Sequence, residues 1–90
     1  MKKAVLTVIG SDKVGIIASV SKILAEANVN ILDISQTIMQ NIFTMIMLVD
    51  ISNAKVAFDQ LAGEISALGT SMDLVMQLQH EAIFDSMHQI

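Results

Sequence analysis

The sequence predicts an α+β fold in which four strands and two helices follow one another as β-α-β-β-α-β. Three observations carry this. Runs rich in Val, Ile, Leu and Met recur at residues 2–10, 31–39, 42–51 and 71–79, the composition of strands. Between the first and second runs, and again between the third and fourth, the apolar spacing changes from period two to that of a helix. The first and third runs are apolar almost throughout while the second and fourth alternate, which places the first and third in the middle of a sheet.

Taken in order, the first strand (2–10) is favoured by Val5, Leu6, Val8 and Ile9. A helix over about 14–27 puts Ile16, Val20, Ile23, Leu24 and Ala27 on one face, with Ser19, Ser21, Lys22 and Glu26 elsewhere. Asn28 is suited to a left-handed exit. Asn30 then opens the second strand, where Leu32, Ile34 and Ile38 alternate with Asp33, Ser35 and Thr37 and leave one face wet. Gln40-Asn41 is the hairpin candidate, without a glycine. The third strand carries eight apolar residues in ten positions, so burial on both faces is expected. Ser52-Asn53 is expected to cap a second helix over 54–68, with Phe58, Leu61, Ile65 and Leu68 inward and Gly69 ending it. In the fourth strand Met72, Leu74, Met76 and Leu78 alternate with Asp73, Gln77 and Gln79. Residues 81–90 close the chain as a short helix whose Ile83, Phe84, Met87 and Ile90 are expected to pack on this or a partner's sheet.

The asymmetry between strands selects the order 4-1-3-2, an antiparallel split βαβ sheet of ferredoxin-like type. Right-handed crossovers would place both helices on one face. Ninety residues hold one core, so 1–90 is read as a single domain. Apolar residues make up 53% of the chain, more than such a core can hide, and the excess points to a homodimer formed through a sheet edge and the first helix.

Composition excludes several classes of function. The net charge is −4, the five basic residues are all lysine, and three phenylalanines are the only aromatic residues of the Phe, Tyr and Trp set. A nucleic-acid surface needs a basic stripe and stacking rings, and neither is present. Cysteine is absent, which removes disulfides, thiolate chemistry and Cys-based metal sites. No apolar run has the length of a membrane span, and Lys2-Lys3 lacks the context of a signal peptide. A soluble, cytoplasmic protein is expected.

The distinctive stretch is residues 9–17, where the first strand gives way to the first helix. Gly10 and Gly15 bracket Ser11, Asp12, Lys13 and Val14. Ser11 or Asp12 is expected to accept bonds from the amides at the helix start, and the junction is either a simple turn with a cap or a pocket for a small carboxylate. Lys13 is expected to face solvent. The Gly10–Gly15 spacing begins like a phosphate loop, but Ile16-Ile17 stand where Lys and Ser/Thr are required. Asp85, Ser86 and His88 hold the letters of a catalytic triad yet crowd one turn. Glu81, Asp85 and His88, with His80 near, share a helical face that reads as solvated rather than metal-binding. Met45, Met47, Met72 and Met76 read as core filling. No catalytic residues, metal ligands or cofactors are assigned.

The run from Gly10 to Ile16, followed by a helix and then Asn28-Val29-Asn30-Ile31, resembles an ACT domain. With Asp33-Ile34-Ser35-Gln36 and the ending Ala82-Ile83-Phe84-Asp85-Ser86-Met87-His88, the whole chain resembles the small stand-alone ACT proteins of the UPF0237 family. The resemblance implies side-by-side pairing and an amino acid or similar effector held between paired domains. Its polar ends would meet the first loop and the asparagine opening strand 2. Those roles fall on Gly10, Asp12, the backbone of Val14, Gly15 and Ile16, and Asn30. The expected function is a non-catalytic, homodimeric small-molecule sensor that reports to a metabolic enzyme or regulator. The alternative is an interaction module with no small-molecule ligand.

Overall fold

In the computed structural model, which describes residues 1–82, the chain forms β1 (Lys3–Ser11), α1 (Ile16–Glu26), β2 (Asn30–Met39), β3 (Ile42–Asp50), α2 (Phe58–Ser71) and β4 (Leu74–His80). The four strands make one antiparallel sheet in the order β2-β3-β1-β4, the predicted arrangement. Registers put Ala4, Leu6 and Val8 of β1 beside Val49, Met47 and Met45 of β3 and beside His80, Leu78 and Met76 of β4. Apart from exposed His80, these side chains meet Ile16, Val20 and Leu24 of α1 and Leu61 and Ile65 of α2 in one buried cluster. Each fully buried aliphatic side chain of this kind contributes about 1.5–3 kcal/mol. Met45 and Met47 are wholly buried there, as core filling.

The turns follow their residue chemistry. Helix α1 ends with Asn28 at φ 60, its amide bonded to the Ala25 carbonyl and the Val29 amide to the Leu24 carbonyl. That is a Schellman ending with buried Val29 beside buried Leu24. Gln40 and Asn41 both take positive φ, as a two-residue type I′ hairpin demands.

Four expectations need correction. Helix α2 starts at Phe58, after an extended Ala57, and not at residue 54. Residues 51–56 are held instead by other bonds: the Ser52 amide reaches Asp50 Oδ1 at 2.9 Å, the Lys2 amide reaches Ser52 Oγ at 2.7 Å, and Asn28 Nδ2 reaches the Asn53 carbonyl at 2.9 Å. Ala54 and Val56 pack against the core from this loop. Gly69 does not end α2 but lies inside it, buried, where a Cβ would sit 2.8 Å from the Leu74 carbonyl oxygen and 3.0 Å from Met76 Cβ. The left-handed residue that ends α2 is Asp73, at φ 59, and β4 accordingly begins at Leu74. In β2 a bulge between Ile31 and Asp33 takes Leu32 out of the alternation, so that Ile34, Gln36 and Ile38 align with the helix-facing Met47, Met45 and Phe43 of β3. Strand β3 is central, yet only its helix-facing residues are fully covered; Ile42 and Ile46 are exposed on the other face.

No helix of the described residues is long and apolar enough to cross a membrane. The predicted helix over 81–90 lies outside the described residues from 83 onward.

Candidate functional site

Strand β1 must pass close to β4 before the first loop can leave the sheet. Gly10 makes this passage, since it pairs with Leu74 and a Cβ there would run into the Leu74 side chain and lie 3.4 Å from its Cα. The loop is then fixed at two points. The Asp12 amide donates to the Asn41 carbonyl at 3.0 Å, joining the loop to the β2–β3 hairpin. Lys13, partly buried rather than facing solvent, donates its Nζ to the Met72 carbonyl at the end of α2.

Gly15 is the N-cap of α1, at φ 90 and ψ 4, a left-handed conformation that disfavours a side chain even though nothing lies within 4 Å of its would-be Cβ. Neither Ser11 nor Asp12 caps the helix, contrary to expectation: α1 has no side-chain cap and no acidic residue in its first turn. The reason is the position of Gly15, which stands at the cap itself and leaves Asp12 three residues upstream, held by the hairpin. Residues 16–18, whose amides have no carbonyl to bond within the helix, line a shallow depression of about 330 Å³. Its other walls are Asp12, Lys13, Gly15, Gln36, Ile38 and Phe43. Val14 points fully into solvent, and neither it nor Gly10 lines this depression. The arrangement offers a carboxylate at Asp12, a helix N-terminus suited to an anion, an amide at Gln36 and an apolar floor.

Asn30 lies elsewhere. It pairs with Asp50, at the opposite end of the sheet from the loop, and lines a second depression of about 370 Å³ with Ala25, Asn28, Val29, Asp50 and Asn53. Bonds from the Ser52 hydroxyl and then the Ser52 amide hold the Asp50 carboxyl below its ordinary range. Along β2, Asn30 and Ile38 are roughly 25 Å apart at the rise of a strand. A single chain therefore brings Gly10, Asp12, Val14, Gly15 and Ile16 together and leaves Asn30 away from them.

Strand β2 connects the two depressions. It is an edge strand with Leu32, Ile34, Ile38 and Met39 all exposed, and exposed Ile17 of α1 lies beside Ile38 in the wall of the first depression. Gln36, Ile38 and Phe43 were not among the residues the sequence assigned to the site. The available signal was Gln36 itself, a polar side chain in step with Ile34 and Ile38. Among the described residues no group of three or more His, Asp and Glu is placed to hold a metal ion. Asp85 and His88 lie outside the described residues, and His80 stacks on Phe58 with ring centroids 3.9 Å apart.

A four-stranded split sheet with its glycine-bounded loop at one end and an open apolar edge beside it defines a small ferredoxin-like βαββαβ domain. Residues 2–79 match the ACT domain family. The chain is 57% identical to a UPF0237 protein of Methanocaldococcus jannaschii over 90 residues, all of both chains. An ACT domain protein from Streptococcus pneumoniae has a similar structure, with a TM-score of 0.79 and 43% identity over 92% of this chain and 93% of that one. A candidate glycine cleavage system transcriptional repressor is similar at TM-score 0.73 and 26% identity, over 88% of this chain and 45% of that one. The chain belongs to the ACT domain family, among the small UPF0237 proteins.

Proposed function

We propose that the protein is a non-catalytic regulatory module, a homodimeric sensor that binds an amino acid at the loop between β1 and α1. The observation that carries this reading is the placement of the two depressions, one at the loop and one at Asn30, at opposite ends of one exposed edge strand. If β2 pairs antiparallel with β2 of a second copy, the two-fold axis brings the partner's Asn30 to the loop end of the first chain. Asp12 would then accept from the ammonium group, and the amides of residues 16–18 would bind the carboxylate. The partner's Asn30, with both an acceptor and donors, could read either end. Ile16, Ile17, Ile38 and Phe43 line the space left for the ligand's side chain, which favours an aliphatic one. The similarity to a candidate transcriptional repressor supports a role in passing the signal to a regulator or a metabolic enzyme.

Calorimetry against the twenty amino acids tests the reading. Binding by at least one is expected, strongest among aliphatic side chains, with Asp12→Ala weakening it by about 1.5–3 kcal/mol, the range for a charge-assisted bond. Silence across the panel at millimolar concentration would overturn it. The alternative, an interaction module without a small ligand, would then stand on the open β2 edge, which can accept a strand from another protein.

A further inference from the structure

A cavity of about 200 Å³ lies at the end of the sheet away from the first loop, and the amino-acid reading does not use it. Ile51, Val56, Phe58 and Leu61, with Ala54, form its apolar wall. The charged or titratable residues that line it, among the described residues, are Lys2 and His80. Ala4 pairs with His80 and is buried under the helices, so His80 and Lys2, two positions before Ala4, belong to the same helix-facing row. Both are exposed and stand where the cavity meets solvent.

The walls are held in place by the chain itself. The Ile51 amide donates to the Lys2 carbonyl at 2.9 Å, and the Lys2 amide to Ser52 Oγ at 2.7 Å. The Ala54 amide reaches the Ile51 carbonyl at 3.2 Å, and the Lys55 amide reaches the Ala27 carbonyl at 2.8 Å. The His80 ring stacks on Phe58, 3.9 Å between centroids and 17° from parallel. Among the described residues, neither the Lys2 ammonium nor the His80 imidazole has a hydrogen-bond or ion-pair partner.

Charge and size choose the ligand. The chain carries a net charge of −4, yet no carboxylate among the described residues lines this cavity. Glu81 lines a neighbouring depression with Lys2, Lys3 and His80, and Asp59 is exposed beyond Phe58. A ligand's ammonium would find no carboxylate here, whereas its carboxylate would meet an ammonium and an imidazole. At about 30 Å³ per water, the volume holds roughly six or seven water-sized groups, less than a drug-sized ligand needs. That suits a short aliphatic chain whose charged end stays at Lys2. We propose that the cavity between Lys2, Phe58 and His80 binds a small aliphatic carboxylate that carries no amino group.

Methyl-detected NMR of the full chain, titrated with isocaproate, isohexylamine and leucine, tests this. The three probes share one branched skeleton and differ in charge. Isocaproate is expected to shift the Ile51, Val56 and Leu61 methyl signals saturably, and the amine and leucine to leave them in place. Lys2→Met, which keeps the stem, should weaken isocaproate binding about fivefold, the upper end for an exposed charge pair. Its amide spectrum shows that the fold is intact. Cavity signals unmoved by isocaproate overturn the proposal, and the space is then closed or filled by the chain itself. Equal shifts from isocaproate and the amine, or from isocaproate and leucine, overturn it as well, since apolar contact alone would explain them. Unchanged isocaproate affinity in Lys2→Met overturns the role of the basic rim and the proposal with it. Any effect of leucine at Ile16, Ile17 and Ile38 reports on the first-loop site separately, so either reading can fail alone.

Discussion

Lys13 Nζ donates to the main-chain carbonyl of Met72, the C-cap residue of α2, 59 positions further along the chain. The last turn of α2 has no basic residue of its own, so Lys13 supplies the cation at the negative end of that helix. The same contact anchors the candidate binding loop to the turn leading into β4. Replacing Lys13 with Met keeps the stem and removes the charge. The expected loss is about 0.3–1 kcal/mol. In a domain of this size that lowers the melting temperature by a few degrees, at about 4–8 °C per kcal/mol. Thermal unfolding at low and high salt checks it: the gap between wild type and variant should narrow as salt screens the charge. Equal melting temperatures at low salt would show that the contact does not form in solution.

The two glycines of α2 should respond to alanine in opposite directions. Gly63 lies in the exposed middle of the helix with nothing within 4 Å of a would-be Cβ. Gly63→Ala should therefore stabilise the fold by about 0.5–1 kcal/mol through helix propensity. Gly69 is packed against the Leu74 carbonyl and the Met76 side chain, and alanine there forces α2 away from β4. Gly69→Ala should cost about 1–3 kcal/mol. Urea unfolding of the two variants measures both. A stabilised Gly69→Ala would mean that the two elements separate at no cost.

Asp50 gives the protein a small acid-sensitive element. The Ser52 hydroxyl, and after it the Ser52 amide, depress the Asp50 carboxyl in the folded state. A depressed folded value stabilises the fold above the unfolded value, about 3.9, and that contribution is lost as pH falls through the folded value. Ser52→Ala should raise the Asp50 value toward the ordinary range. The stability difference between the two proteins should be full at neutral pH and close in acid below about 3.9. Carbon-detected NMR titration of the Asp50 carboxyl reads the shift directly, and an unchanged midpoint would remove the Ser52 hydroxyl as its cause.

Periodicity made the strand order and the inward faces of both helices legible in the sequence. Ile16, Val20 and Leu24 are buried as their spacing requires, and Asn28 turns the chain out of α1 as its tolerance of positive φ allows. The failures occurred where tertiary contacts outweighed local signals. Gly69 looks like a helix stop, but its purpose is to let β4 approach, which no local pattern reveals. Ser52 and Asn53 look like caps, but their side-chain and backbone groups are taken by Lys2, Asp50 and Asn28 from distant segments or the preceding strand. The loop residues were found by their composition. The distance between Asn30 and that loop follows from the β-α-β crossover, which returns the chain to the opposite end of the sheet before β2 begins, whereas the lining of the two depressions depends on tertiary packing that no local pattern reveals.

That distance yields the most demanding test of the proposed site. If each binding site takes Asp12 from one chain and Asn30 from the other, Asp12→Ala and Asn30→Ala homodimers are each defective at both sites. Mixing and re-equilibrating the two variants forms heterodimers. In each heterodimer one site has lost both groups, and the other retains a wild-type Asp12 from one chain and a wild-type Asn30 from its partner. Binding of the amino acid identified by calorimetry should therefore return at one site per heterodimer with wild-type affinity. A site built within a single chain would instead be damaged in every chain of the mixture, and affinity would remain low. Differential tags allow the heterodimer to be purified and its stoichiometry measured. Failure of a verified heterodimer to recover would overturn the shared site, whatever the behaviour of the two variants alone.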